Sequence, residues 1–535
     1  MYVSQFITSH MLREVINDMK IIQNQNGGSI IYDKDDWLAG MDTTSSGTDY
    51  GVTGGNPFMS EVDPLRKYGF VTTSFNAADV TNIASVTATI TKGIVNGDNA
   101  YFIGGGLVHK LTTLGGGTIS TTAPFPHTID HAHASESASD ICSYYNYNAG
   151  TPKFGAFYSF SDATDWDVGF YDYLADTFDD DFMSTVPTSP LAAPYLAGGA
   201  GYPHPLHVGD DDILYMGDRN FVHAYDRSNG TFYPAVLTLP KGWIITCFTT
   251  TQDLQLAIGT YYSAGLGAST FNRGAAKVWF WSYLALEPDY SRDLGDNYVS
   301  EILQWNGTIA AFTQGRRSLV DRGIYKLQIL NGSQFEIIKT WNTGGLPVRG
   351  GIDTCGKDLY WNGAGSIYAM IKRPDNGQFI LNHIVQVGST GGAFIFLTGS
   401  SIYHTSFGSG TGAGLVYFSG NYNEVGILQC QIASPQFPVK QKGELTQVTV
   451  KLSRTFTGGR SFELQALLDN SASILIAETS ASSDLRMTRI STKSDGTPLG
   501  VFNTLQPYLK WSTGSGATDA AEIEWIRFDY QLVNV

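Results

Sequence analysis

Short apolar runs alternate with polar, glycine-rich turns over most of this chain. The stretch "DDILYMGDRNFVHAYDRSNGTF", Asp211 to Phe232, shows the unit. It reads as a strand, a polar tip, a second strand opening on Val222-His223, and an Asn-Gly turn into a third. The first strand, "LYMG" at Leu214, has counterparts in "YFIG" at Tyr101, "FYSF" at Phe157, "LAIG" at Leu256, "IAAF" at Ile309, "LYWN" at Leu359 and "IFLT" at Ile395. The second strand opens on a β-branched residue each time: Val108, Val168, Val222, Val278, Ile324, Ile367 and Ile402. Such a repeat matters first in a long chain, because stacked units absorb a length that would otherwise demand several cores.

The anchors of these seven hairpins lie 60, 54, 56, 46, 43 and 35 residues apart. Three hairpins continue through "NGTF" at Asn229, "NGSQF" at Asn331 and "NGQF" at Asn376, where Asn-Gly supplies positive φ cheaply for a tight turn. The remaining strand of each unit is the apolar run before each hairpin, such as "ASVTATI" from Ala84, "GWIITCF" from Gly242 or "YVSEILQW" from Tyr298. Four short strands per unit predict an all-β protein with a seven-bladed β-propeller over residues 66–434. A blade has two apolar faces that only neighbours can bury. No amphipathic helix separates the strands, which argues against a parallel α/β fold; the structural alternative is a β-helix, whose repeat would be shorter and more regular.

Both ends lack the repeat. Residues 1–65 read as an N-terminal arm and linker. "SHMLREVINDMKIIQ" from Ser9 places Met11, Leu12, Val15, Ile16, Met19 and Ile22 at near-helical spacing, with Ser9 as N-cap. This helix either docks on a neighbouring subunit or packs on its own propeller rim. Beyond Pro435, "LTQVTVKL" and "IEWIRFDY" alternate apolar with polar, one buried and one wet face per strand, which predicts a C-terminal β-sandwich over 435–535.

Composition narrows the function. The formal charge is −16 with only 15% charged residues, an unfavourable balance for gripping nucleic acid through phosphates. No apolar run is long enough to span a membrane, and the opening lacks the pattern of a secretory signal. Cys142, Cys247, Cys355 and Cys430 form no C-x-x-C pair and read as buried free thiols, in keeping with assembly in a reducing cytoplasm.

Catalytic motifs are missing: there is no G-x-S-x-G elbow, Walker loop, H-E-x-x-H, or G-x-G-x-x-G between strand and helix. "GSGTGAG" at Gly408 lies between strands and reads as a loop tip. "PHTIDHAH" offers His127, Asp130, His131 and His133, and "PHPLHVGDDD" offers His204, His207, Asp210, Asp211 and Asp212, residue types that suit zinc or similar ions. Both lie in connections between units, where solvated polar residues are ordinary. "DTFDDDF" sets Asp176, Asp179, Asp180 and Asp181 in one turn, without EF-hand spacing. Propeller glycosidases converge carboxylates at the axial mouth; Asp140, Asp253, Glu301 and Asp353 lie near inner strands, though such acids also cap turns. Aromatic residues in "SYYNYN", "KVWFWSY" and "GTYYSAG" pack blades or offer flat surfaces to sugars and partners. The residues themselves assign no catalytic, cofactor-binding or metal-binding position, so no enzyme is expected.

The segment "DWLAGMDTT…NPFMSEVDPLRKYGF", blades of the "LYMGDRNFVHAYD" and "LYWNGAGSIYAM" kind, "GLVYFSGNYNEVG" and the terminal "EIEWIRFDYQL" together resemble propeller-bearing structural proteins of tailed bacteriophages, including the nozzle proteins below the portal. The resemblance spans about residues 36–535 and is one of style. It implies a non-enzymatic virion protein of the tail or head–tail junction, assembled in the host cytoplasm. Its partners would be portal, adaptor or tail components and copies of itself in a ring that lets DNA pass without reading sequence. The alternatives are a tail-tip receptor- or glycan-binding protein and a propeller-type glycoside hydrolase.

Overall fold

The structure, a computed structural model, describes residues 22–23, 30–34, 58–60, 62–63, 72–73, 75–79, 90–112, 118–130, 137–146, 153–162, 166–183, 202–263, 275–315, 325–341, 350–355, 358–363, 366–372, 379–386, 395–398, 401–407, 413–422, 425–430, 439–456, 461–479, 485–493, 495–512 and 520–534. Among these residues every regular element is a strand, and no helix is long and apolar enough to cross a membrane. The helix expected from Ser9 falls outside them. Contacts divide the chain into two compact units, Ala78–Ile367 with Val387–Tyr417, and Met1–Ala77 with Tyr368–Gln386 and Phe418–Val535.

Antiparallel four-stranded sheets follow one another along the chain, each in sequence order. The first runs Ile90–Asn96, Asn99–Gly104, Leu107–Thr112 and Thr118–Ile119, with His127–Thr128 also on its third strand. The second is Ser137–Asn146, Lys153–Ser161, Trp166–Asp172 and Thr177–Asp179; the third is Leu206–Val208, Ile213–Asp218, Phe221–Asp226 and Thr231–Thr238. The fourth is Trp243–Thr250, Leu256–Tyr262, Ala276–Trp281 and Tyr290–Asp293; the fifth is Tyr298–Trp305, Thr308–Gln314, Tyr325–Asn331 and Gln334–Trp341. The sixth is Ile352–Cys355, Asp358–Gly363, Ser366–Lys372 and Phe379–Gln386. A last sheet takes Ile395–Thr398, Ser401–Phe407 and Ala413–Tyr422 from one stretch, and its fourth strand, Phe75–Asp79, from far upstream.

Period-two alternation sends the two faces of each sheet to different neighbours. In the fourth sheet, Leu256, Ile258, Trp279 and Trp281 pack with Tyr215, Val222 and Leu237 of the third. The intervening Ala257, Val278 and Phe280 pack with Val299, Ile302 and Ile309 of the fifth. The second sheet divides likewise: Ala156, Tyr158 and Phe160 meet the first sheet, while Tyr144, Phe157 and Phe170 meet the third. First strands of the first to fifth sheets lie side by side, the sixth touches the last, and Ile395–Thr398 returns against Ile90–Asn96. This is the organisation of a β-propeller.

The hairpin matched in sequence at Ile395 and Ile402 is displaced by one strand from the other six. It is the first and second strands of its sheet, where the others are second and third. Its anchor Ile402 is therefore a second-strand residue measured from the third-strand Ile367, which shortens the spacing to 35 residues, and the fourth place of its sheet is filled by Phe75–Asp79. Asn-Gly chemistry also differs in detail. At 229–230 and 331–332 only the glycine has positive φ, whereas Asn306 and Gly307, at 50° and 79°, form the turn with both central residues left-handed.

Four first strands carry an extra residue near their start, at Thr91, Ser139, Thr246 and Ser300. A bulge bends the strand and re-aims the next side chain. Three of these hydroxyls donate back to a carbonyl of the second strand: Thr91 to Ile103 (3.3 Å), Thr246 to Gly259 (3.1 Å) and Ser300 to Phe312 (3.5 Å).

In the other unit, one sheet orders Ile22–Gln23, Ile30–Lys34, Ile523–Asn534, Gln441–Leu452 and Arg486–Ile490, with Val501–Phe502 also on Gln441–Leu452. Another orders Phe58–Ser60, Val425–Gln429, Leu505–Ser512, Ser461–Leu468 and Ser471–Glu478. Strand Ser461–Leu468 alternates strictly, burying Phe462, Leu464, Ala466 and Leu468. The units are thus not consecutive blocks, as boundaries at 65 and 435 would make them. Tyr32 pairs with Phe528 and Met59 with Leu428, so the opening segment is woven into sheets whose remaining strands come from the far end. Alternating strands with one bare apolar face accept any strand that completes the sheet, however distant in sequence.

Buried histidines make the fold acid-sensitive. His109, 1% exposed, stacks on Phe102 and neither ring nitrogen has a hydrogen-bond partner; burial pulls its pKa down to about 4. His223, whose Nδ1 accepts the Ala235 N–H (3.0 Å), is drawn to about 4 by burial and then by the charge of Arg219. Between these values and the unfolded pKa near 6.5, the unfolded chain binds protons that the folded chain refuses. The unfolding free energy from urea titration should be level near pH 7 and fall below about pH 6.5, by at most about 3 kcal/mol per histidine near pH 4. His109→Leu should flatten that decline; an unchanged pH profile in the variant would refute the assignment.

Candidate functional site

The bulges aim Lys92, Asp140, Cys247 and Glu301 from corresponding places at the openings of first strands, and Asp353 holds the second position of Ile352–Cys355. Asp140 is fully buried. Its Oδ1 takes the Lys92 ammonium (2.7 Å) and its own neighbour's N–H, Ile141 (2.8 Å), while Oδ2 accepts the Leu206 N–H (2.7 Å). One carboxylate thus ties the first, second and third sheets. Glu301 accepts the Ile302 N–H through Oε1 (3.3 Å) and the Gly350 N–H through Oε2 (3.3 Å). Gly350 sits at φ +82°, and a Cβ there would lie 2.5 Å from Cγ of Lys92. The approach to the sixth sheet therefore reaches both Lys92 and Glu301. Asp353 accepts the Thr354 N–H (2.7 Å).

Lys92, Asp140 and Glu301 are thus linked at the strand openings, and the chemistry of these links is that of fastening. Cys247 is buried, with its sulfur 3.3 Å from the Thr246 hydroxyl. His207 shares a hydrogen bond with the Thr250 hydroxyl (2.7 Å); burial first, then the Lys92 charge, against the opposing charge of Asp140, pull its pKa to about 4. Asp253, grouped with the inner-strand acids by sequence, lies instead in the exposed turn at the other end of its strand.

Two of the ligand-type segments do meet. Asp180 of "DTFDDDF" accepts from His127 Nε2 (3.0 Å), from the Tyr158 hydroxyl and from the Asp130 N–H (3.0 Å). Burial opposes ionisation of Asp180, but these donors outweigh it and hold its carboxyl below the usual range. His127 stacks on Phe178 at 3.8 Å. Asp176 accepts the Tyr171 hydroxyl (2.5 Å), and Asp179 and Asp181 are exposed. His131 and His133 lie outside the described residues. His204 is buried against Trp166 (4.5 Å), away from Asp210–Asp212, which form a turn in which Asp211 accepts the Tyr215 hydroxyl (2.6 Å). Among the described residues no three His, Cys, Asp or Glu side chains could hold a metal ion.

The aromatic segments supply mainly core: Tyr144, Val278, Phe280, Trp281 and Tyr261 are buried, and Tyr262 remains exposed. Cys142, Cys247 and Cys430 are free thiols. Two participants escaped the sequence reading. Lys92 was legible in principle, since "IT-K", "AS-D", "IT-C" and "VS-E" align once the repeat is superposed on the bulged hydroxyl. Arg227 had no such signal. Its guanidinium lies 3.5 Å from the Phe170 ring centre, with Phe182, Tyr144 and Phe157 around it, a cation–π lock between the third sheet and the second.

No protein-family model matches the chain, and no curated protein matches it. Among solved structures it is similar to virginiamycin B lyase from Staphylococcus aureus, at 12% identity over 64% of this chain and 98% of that one, with TM-score 0.40. The Dos1 propeller is 12% identical over 65% and 95%, TM-score 0.40, and YCF48 bound to D1 peptide is 11% identical over 65% and 95%, TM-score 0.40. Likenesses this slight transfer no chemistry to the present chain.

Removing the central carboxylate tests the fastening role. Asp140→Ala strands the Lys92 ammonium and two backbone N–H groups, and should cost about 3 kcal/mol, moderated by the partial exposure of Lys92. Asp140→Asn, which keeps an acceptor, should cost less. Chemical denaturation measures both; wild-type stability in Asp140→Ala would contradict the geometry.

Proposed function

We propose that this chain is a non-enzymatic structural component of a tailed-bacteriophage virion, placed in the tail or at the head–tail junction and present in several copies. On this reading the sheets are a seven-bladed propeller, six blades from consecutive chain and a seventh completed by Phe75–Asp79, and the remaining unit is a β-sandwich. The role is mechanical: a stiff block that presents contact surfaces to portal, adaptor or tail components and to its own copies.

The observation that carries the mechanical part is the use made of Asp140. The most deeply placed carboxylate at the strand openings is committed to a lysine and two backbone N–H groups, joining three sheets. A group so occupied serves rigidity; a general acid needs a proton to give and room for substrate. Placement in a tail rests on the sequence resemblance described above.

Mass spectrometry and cryo-EM of purified particles test this. Several copies of the chain per particle are expected, at one fixed position; a chain found free and absent from particles would end the reading. Saturable binding of a host polysaccharide by the isolated protein would move it to the tail tip as a receptor-binding protein. Polysaccharide turnover abolished by alanine at Asp140, Glu301 or Asp353 would make it a hydrolase.

A further inference from the structure

Three turns of the third and fourth sheets come together with leucines held out in water. Leu284 is 91% exposed, Leu286 77% and Leu254 60%. The first two lie in residues 282–289, between the third and fourth strands of the fourth sheet; Leu254 lies between its first and second strands. The Tyr290 hydroxyl donates to Gln255 (3.1 Å), which joins these two turns. The Tyr283 ring lies 5.2 Å from that of Tyr215, whose hydroxyl donates to Asp211 (2.6 Å), and this brings in residues 209–212 of the third sheet. The leucine loop is pinned. Asp289 accepts both the Ser282 N–H (2.6 Å) and the Ser282 hydroxyl (3.1 Å), and Trp281 donates its indole N–H to the Ala285 carbonyl (2.6 Å). Tyr283 is held at φ +67°, a strained conformation for an aromatic residue. Leucines displayed on a fastened, strained loop stabilise nothing in the isolated chain; they serve contact.

The same turns are acidic. "GDDD" from Gly209, "TQDLQ" from Thr251 and "SYLALEPDY" from Ser282 hold Asp210, Asp211, Asp212, Asp253, Glu287 and Asp289, and no lysine or arginine. All of these acids but Asp212 are exposed. Burial first, then the charges of Asp211 and Asp210, make the Tyr283 hydroxyl harder to ionise; at Tyr290 burial, opposed by Arg292, is reinforced by Asp253 and Asp289. The acids therefore border the leucines on both sides. Asp211 and Asp289 spend their hydrogen bonds on neutral donors, which leaves their charge in place. Arg292, 4.7 Å from the Tyr290 ring, is one cation against six carboxylates.

We propose that this surface docks a partner protein through a segment that pairs an apolar face with lysine and arginine. The leucines enter the apolar face and the carboxylates meet the cations. Charge complementarity decides the class of partner. The carboxylates repel the phosphates of nucleic acid and of anionic lipid, and insertion of the leucines into a bilayer would draw them towards hydrocarbon. A protein partner without cations would cover carboxylates and leave them unmatched. The proposal goes beyond the virion reading and does not depend on it.

The test is fluorescence anisotropy of a labelled amphipathic peptide, leucine on one helical face and lysine on the other, titrated with the full-length chain. Saturable binding is expected, weakening as salt is raised. Leu284→Ser with Leu286→Ser should weaken it by about tenfold or more, as loss of buried leucine requires. Asp253→Asn with Glu287→Gln should weaken it and flatten its salt dependence. Ile490→Ser, which removes an equally exposed apolar side chain from the other unit, should leave it unchanged. A peptide with glutamate in place of lysine should not bind. Absence of saturable binding, or binding indifferent to the leucine pair, overturns the proposal. So does a leucine-dependent affinity for phosphatidylcholine vesicles or a leucine-dependent self-association without peptide binding, which would give the loop to a lipid surface or to a second copy.

Discussion

Each sheet of the propeller unit has two apolar faces and no way to bury either alone. Everything else in that unit follows from this constraint. Alternation along a strand sends Ala257 to one neighbour and Ile258 to the other, so a sheet is stable only between two sheets. A linear stack would leave two faces bare; the contact between Ile395–Thr398 and Ile90–Asn96 removes both ends. The borrowed strand Phe75–Asp79 ties the beginning of this chain to its last sheet, so that opening the ring costs a strand pairing as well as two faces.

Packing sheets face to face with their first strands side by side crowds the openings of those strands, where backbone N–H groups and side chains converge. The bulged hydroxyls at Thr91, Thr246 and Ser300 meet this by binding second-strand carbonyls. Asp140 meets it by ionic means. A buried carboxylate is costly unless matched, and Lys92 with two N–H donors supplies the match. The His127–Asp180–Tyr158 cluster applies the same logic between the first sheet and the second. Polar residues that resembled ligands in sequence thus act as ties between sheets.

Much of the architecture was legible because it is local and repeated. The strand runs at Tyr101, Phe157, Leu214, Leu256, Ile309 and Leu359 are second strands, as their shared place in the repeat implied. The run at Ile395 was misplaced by one strand: it opens its sheet, and only the pairing of the strands shows this and the origin of the fourth strand in Phe75–Asp79. The candidate site was less legible. The pairing of His127 with Asp180 spans 53 residues, and that of Asp140 with the Leu206 N–H spans 66. Periodicity carries no information at such separations.

The sequence by itself determined the secondary structure class, the strand–turn rhythm and the alternation that gives every sheet two burial faces, because these depend on neighbours within a few residues. Only the tertiary structure decided which strand completes the last sheet, which opening strands join the C-terminal sheets, and which acids are bound rather than available. Those outcomes depend on which complementary surface happens to be nearest in space. Hydrogen bonds and charges become specific only once the sheets have been brought together by burial, a force with no preference for one partner's position along the chain.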